Sequence, residues 1–170
     1  YESHGYRITG DNYFFLNYYR LKNTDVSQAG SGRETTFPAF FSKQYEYFHY
    51  IELCKVLRKN AIGLKARGVG FSEIAAAILI NGYITRPHFR GVVAAQQEGY
   101  VDDTLSKCWM QLSYLDDNTE DGMRKLRQVH NTAKWKRASS KNVDGVESGW
   151  MSEIEGITAD KPNKIRGDRT

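Results

Sequence analysis

The residues whose types and spacing suggest chemistry run Ala61-Ile62-Gly63-Leu64-Lys65-Ala66-Arg67-Gly68-Val69-Gly70-Phe71-Ser72. A lysine and an arginine, then two closely spaced glycines, then a hydroxyl suit the binding of a phosphate. Gly68 and Gly70 permit positive φ, which turns backbone amides toward an anion. The apolar run that continues through Ile80 reads as a helix, and a helix start offers unpaired N–H groups and a dipole that favours negative charge. Ser72 falls in its first turn, where a hydroxyl can bind Mg²⁺. Ala61 to Lys65 read as a short buried strand, so the expected frame is strand, loop, helix.

Set against the pattern G-x-x-x-x-G-K-[ST], Gly70 and Ser72 take the last glycine and the hydroxyl, while Lys65 takes the first glycine and Phe71 the lysine. The charge thus comes from the strand side. Both ends of a loop wrapped around an anion lie near it, so a flexible lysine there can still deliver its ammonium. The plainer reading is a glycine turn with one exposed lysine and one exposed arginine.

The run Lys65 to Ser72 resembles the deviant phosphate loop of the large terminase subunits of tailed bacteriophages, where the lysine often leads the loop and an aromatic residue precedes the hydroxyl. Two flanking segments resemble that family as well. Gln44 precedes the loop by about twenty residues, where terminases and related motors carry a glutamine that reads the adenine edge. An amide supplies the donor and acceptor this needs, and Phe37 and Phe41 are candidates to stack on the ring. Arg166-Gly167 resembles the Arg-Gly motif that precedes the family's acidic, Mg²⁺-binding strand.

The resemblance implies an α/β P-loop NTPase of the RecA-like (ASCE) kind, with a mainly parallel central sheet flanked by helices and incomplete at its C-terminal end. Residues 1–170 would be part of an N-terminal ATPase domain: an aromatic-rich entry segment and loop over 1–36, and a nucleotide-binding core over 37–170. The acidic strand, the coupling motif and the nuclease domain would lie beyond. It assigns Lys65 to the β- and γ-phosphates, Ala66 to nucleotide binding, Gly68 to Phe71 to the backbone cradle, Arg67 to the γ-phosphate or transition-state charge, Ser72 to Mg²⁺, and Arg166 to phosphate contact or coupling. An arginine in that role is worth about 10³–10⁵ in rate. ATP and Mg²⁺ are the implied cofactors. The implied partners are double-stranded DNA, a small terminase subunit, a portal protein and further copies in a ring, acting in the host cytoplasm and transiently on the procapsid portal. The fragment itself is expected to bind nucleotide weakly and to hydrolyse it negligibly.

The elements that must position these residues follow from the pattern around them. The chain has 170 residues, 40% hydrophobic and 26% charged, with net charge +4, which fits one ordinary globular domain or part of one with a mild basic bias. Gly10 to Leu21 is aromatic-rich and reads as a segment packing across the domain, with a base-stacking platform as the alternative. Asn23 to Thr36 reads as a loop. A helix is expected from Ser42, as N-cap, to near Asn60, its apolar face made by Tyr47, Ile51, Cys54 and Leu57. Arg90 to Ala95 reads as a second, parallel strand after a break at Pro87. Val101, Leu105, Cys108, Leu112 and Leu115 mark an amphipathic helix with Asp102 and Asp103 in its first turn, and Trp150 to Gly156 an edge strand. This alternation argues for an α/β domain.

Other features carry less. Cys54 and Cys108 fall at apolar helical positions and read as buried thiols. The four histidines have no metal-ligand spacing. Asp116-Asp117 with Glu120-Asp121 reads as a solvated turn in preference to a metal cluster. Met123 to Lys141 carries seven basic residues and no acid, which would suit a nucleic-acid backbone or simply a solvated face. No apolar run reaches membrane-spanning length. Two other functional classes remain open: a helicase-like ATPase or kinase sharing the same loop, and a non-catalytic nucleic-acid-binding module.

Overall fold

The computed structural model describes residues 5, 7–8, 10–22, 35–66, 68–119, 128–131, 135–138, 140–141 and 147–159, the side chains from 128 to 148 excepted. The chain divides into two compact units, Tyr1–Ala77 and Ile78–Thr170, the division falling inside one helix. Helices and small sheets make it an α/β chain. Among the described residues no helix is long and apolar enough to cross a membrane.

In the first unit the aromatic segment forms helix α1 (Gly10–Asn17) and then strand β1 (Leu21–Lys22), which pairs antiparallel with β2 (Thr35–Thr36). Phe14, Phe15, Leu16 and Tyr19 are buried, and Phe15 meets Phe48 of helix α2 (Ser42–Val56) with ring centroids 5.4 Å apart. The aromatic residues therefore pack across the unit, as the aromatic-rich composition of the segment suggested. Asp11, in the first turn of α1, is buried against Lys55 at 2.5 Å.

Helix α2 differs from expectation at both ends. Its N-cap is Phe41, with no side-chain cap bond, so Ser42 is already helical. It stops at Val56, and Arg58 then takes positive φ (54°) while its N–H reaches Lys55 O and that of Lys59 reaches Cys54 O. This is the left-handed exit that glycine usually supplies. Of the expected apolar face, Cys54 is buried and Tyr47 and Ile51 half-buried, but Leu57 lies past the helix end and is exposed. Phe48 is the buried anchor instead.

The strand expected at Ala61 to Lys65 does not form. Residues 61–66 have no regular structure and are exposed, Leu64 fully. The physical reason lies in the backbone: the Ile62 N–H donates to the Tyr50 hydroxyl at 3.2 Å, and that hydroxyl lies 3.4 Å from the Ile62 carbonyl. A side chain of α2 thus occupies the groups a neighbouring strand would need. Gly63 likewise packs on the rings of Tyr47 and Phe71.

Helix α3 (Phe71–Thr85) carries the chain out of the first unit. In the second, β3 (Arg90–Ala95) and α4 (Glu98–Asn118) form where the sequence pattern placed them, and all five apolar positions of α4 are buried. Helix α4 starts at Glu98, which puts Asp102 and Asp103 one turn later than expected. Short strands β4 (Gln128–Asn131), β5 (Trp135–Ala138), β6 (Ser140–Lys141) and β7 (Glu147–Ser148) follow, then β8 (Glu153–Thr158). The main sheet has order β3-β8-β5-β4, with β3 and β8 parallel and the other two pairings antiparallel.

Two expectations are corrected here. The sheet has one parallel pairing among three, so it is mixed. And β8 is an interior strand: its alternation of Glu153, Ile154, Glu155 and Gly156 reflects a sheet covered on one face. Val101 and Leu105 of α4 press so closely on Gly156 that a Cβ there would meet them at 2.6 and 2.5 Å. On the other face Arg90 pairs with Glu153 at 3.0 Å and Glu155 at 3.6 Å, and Val92 is exposed. Mixed composition signals a half-covered strand here, whatever its place in the sheet.

Candidate functional site

The start of α2 and the loop before α3 face each other within the first unit. Phe41, Gln44 and Tyr47, three residues apart, share one side of the helix and look onto the loop. Gln44 Nε2 donates to Val69 O at 3.2 Å. Gly70, at φ 73°, is tight on that side, since a Cβ would stand 3.1 Å from the same nitrogen.

This contact lies between two cavities, both lined by Phe41, Gln44 and Val69. The first, about 280 Å³, is apolar and bounded by Tyr47, Leu64, Lys65, Ala66, Phe71 and Ile74, with Lys43 at its rim. The Tyr47 and Phe71 ring centroids are 4.6 Å apart, and Lys65 Nζ stands 6.0 Å from the Phe71 ring centre, at the outer limit of a cation–π contact. Burial, with Tyr50 second, pushes the Tyr47 phenol above its ordinary range. The second cavity, about 420 Å³, is lined by Phe15, Leu21, Lys22, Gly68, Gly70 and Glu73. Glu73 sits in the first turn of α3, and Tyr19 donates its phenolic hydrogen to Glu73 Oε2 at 2.7 Å.

The structure brings together Gln44, Phe41, Lys65, Ala66, Gly68, Val69, Gly70 and Phe71. Phe37 lines neither cavity; the Arg20 guanidinium covers its ring at 4.1 Å. Ser72 is half-buried in the first turn of α3 but does not line either cavity. Arg67 and Arg166 lie outside the described residues, as do Glu120 and Asp121 and much of the basic stretch from Met123 to Lys141.

Sequence reasoning missed Tyr47 as a wall of the cleft, although its spacing from Gln44 put both on one helix face. It also missed Lys22 and Glu73, which no motif marks. Among the described residues no group of three or more His, Cys, Asp and Glu is placed to hold a metal ion. Cys54 and Cys108 are buried and are not joined in a disulfide.

The arrangement can hold a flat ring between aromatic walls, offer it an amide edge, and place lysines and loop backbone beside an anionic tail. No protein-family model matches the chain, and the search of curated proteins returned no significant match.

Proposed function

We propose that the cleft between α2 and the glycine loop binds a nucleoside triphosphate, and that the chain is part of the ATPase of a DNA-packaging motor of the large-terminase type. The observation that carries this reading is the hydrogen bond from Gln44 to Val69. It joins the amide expected to read a base to the loop expected to hold phosphates, across 25 residues of sequence.

On this reading the ring of ATP lies against Phe41, Tyr47 and Phe71, and Gln44 presents its amide to the adenine edge. Lys65 contributes charge to the phosphates from the cavity rim, and the Gly68–Phe71 backbone cradles them. Phosphoryl transfer depends mainly on positioning and charge stabilisation, which is what these residues supply. Ser72, in the first turn of α3 but outside the lining of both cavities, is the residue that would hold Mg²⁺, which would supply neutralisation of the phosphate charge. The finer fold assignment, a RecA-like P-loop domain, belongs to the same proposal. It requires the exposed Ala61–Ala66 segment to gain a strand partner in the assembled protein. In that protein hydrolysis would drive double-stranded DNA through a portal into a procapsid, with a small subunit recognising the DNA.

Titration with a fluorescent ATP analogue in the presence of Mg²⁺ tests the reading. Saturable binding is expected, weakened about tenfold or more in Gln44→Ala and Lys65→Ala, with Gln44→Ala also losing preference for ATP over GTP. No saturable binding by the unaltered chain would overturn it. A helicase-like ATPase sharing the loop would show itself by DNA unwinding in the full-length protein.

A further inference from the structure

Between the two cavities, the one that adjoins the glycines contains a cation that no motif marks. Gly68 and Gly70 line the larger cavity with Lys22, whereas Lys65 lines the smaller, aromatic one. We infer that Lys22 receives the terminal phosphates of the ligand, with Lys65 reaching the phosphate chain from the ring side, so that the two cavities are separate subsites: ring against Phe41, Tyr47 and Phe71, anionic tail against Lys22 and the glycines. This rests on the nucleotide-binding reading and divides its site in two.

Lys22 is brought there by a chain of contacts. Tyr19, three residues earlier, is fully buried and donates its hydroxyl to Glu73 at the start of α3. That bond spans 54 residues of sequence and draws the segment carrying Lys22 against the loop, while pairing of Leu21 with Thr36 fixes the backbone. Lys22 is exposed, so its ammonium remains hydrated and can move to meet an anion. Glu73 lines the same cavity with the opposite charge. A carboxylate beside an anion subsite weakens the binding of free anions, and the bond from Tyr19 holds that carboxylate in place.

Inorganic tripolyphosphate and adenosine, titrated separately by calorimetry and by competition against the fluorescent ATP analogue, address the two subsites independently. Lys22→Ala and Lys22→Gln are expected to weaken tripolyphosphate at least tenfold while leaving adenosine within twofold, and Lys22→Arg to restore most of the loss. Glu73→Gln is expected to tighten tripolyphosphate several-fold. Circular dichroism of each variant checks that the fold is kept. If Lys22→Ala and Lys22→Gln bind tripolyphosphate as the unaltered chain does, or Glu73→Gln changes nothing, the subsite assignment is overturned while the nucleotide reading stands. If the unaltered chain binds neither ATP, adenosine nor tripolyphosphate, both fall.

Discussion

Tyr47 and Phe71 hold their rings 4.6 Å apart, tilted by 54°, although one sits in the second turn of α2 and the other opens α3. The pair closes the apolar cavity, and Gly63 fits against both rings because it has no side chain. Tyr47→Ala should therefore lower stability by about 2–3 kcal/mol in urea denaturation, combining lost burial with a lost aromatic pair. Tyr47→Phe should stay within about 0.5 kcal/mol of the original. Equal effects of the two would mean the hydroxyl, and not the ring, matters.

Gly68 and Gly70 separate two costs of a side chain in the loop. Both have positive φ, 82° and 73°, but a Cβ on Gly68 meets nothing within 4 Å while one on Gly70 stands 3.1 Å from Gln44 Nε2. Gly68→Ala should cost about 1 kcal/mol, the strain of a left-handed alanine alone. Gly70→Ala should cost more and weaken nucleotide binding, because it also pushes Gln44 off Val69. Identical losses in denaturation and titration would argue against the Gln44 contact.

Much of the second unit was legible because its helix has one buried face. Val101, Leu105, Cys108, Leu112 and Leu115 of α4 recur at three or four residues, and all five are buried. Residues 61–65 were misread for a related reason. A short apolar run specifies a buried strand only if backbone partners exist, and Tyr50, an aromatic whose spacing shows nothing of its hydroxyl's target, takes those of Ile62. The nearness of Gln44 to the loop was suggested by resemblance, whereas Tyr19–Glu73 is a long-range hydrogen bond that no local pattern encodes.

Asp11 is 2% exposed and Lys55 38% exposed. Lys55→Met should cost about 2–3 kcal/mol, because it leaves a buried carboxylate without its cation, discounted for the water that reaches the lysine. The exposed pair Lys43–Glu46 offers a control: Lys43→Met should change stability by less than about 0.5 kcal/mol. Chemical denaturation of both variants in parallel at neutral pH reads the contrast.

Arg58 holds a left-handed conformation at the exit of α2. Glycine adopts it without the clash that a Cβ suffers, so Arg58→Gly should stabilise the chain by about 0.5–1 kcal/mol, and Arg58→Val should destabilise it by more. A melting temperature lower for the glycine variant than for the original would contradict this.

Tyr83 is fully buried, and its hydroxyl has no hydrogen-bond partner among the described residues. Burial first, and then Asp116, raise its phenol far above the ordinary 10.0. A group that holds its proton more tightly when folded contributes stability that is whole below its unfolded pKa and is lost as pH rises through the folded value. Stability should hold steady to about pH 10 and fall above it. Tyr83→Phe should flatten part of that fall and be neutral or stabilising by about 1 kcal/mol at pH 7, since it removes an unsatisfied buried group. Denaturation midpoints of both proteins between pH 7 and 11 measure the effect.

Strand β8 sits between β3 and β5, yet it follows both in the chain. During synthesis β3 leaves the ribosome about sixty residues ahead of its parallel neighbour, and β5 must likewise wait. Until Glu153–Thr158 emerges, the hydrophobic side of α4 has only part of its platform, and the nascent sheet presents two open edges toward one empty slot. The four-stranded sheet can therefore close only once Glu153–Thr158 is available to join its parallel and antiparallel sides.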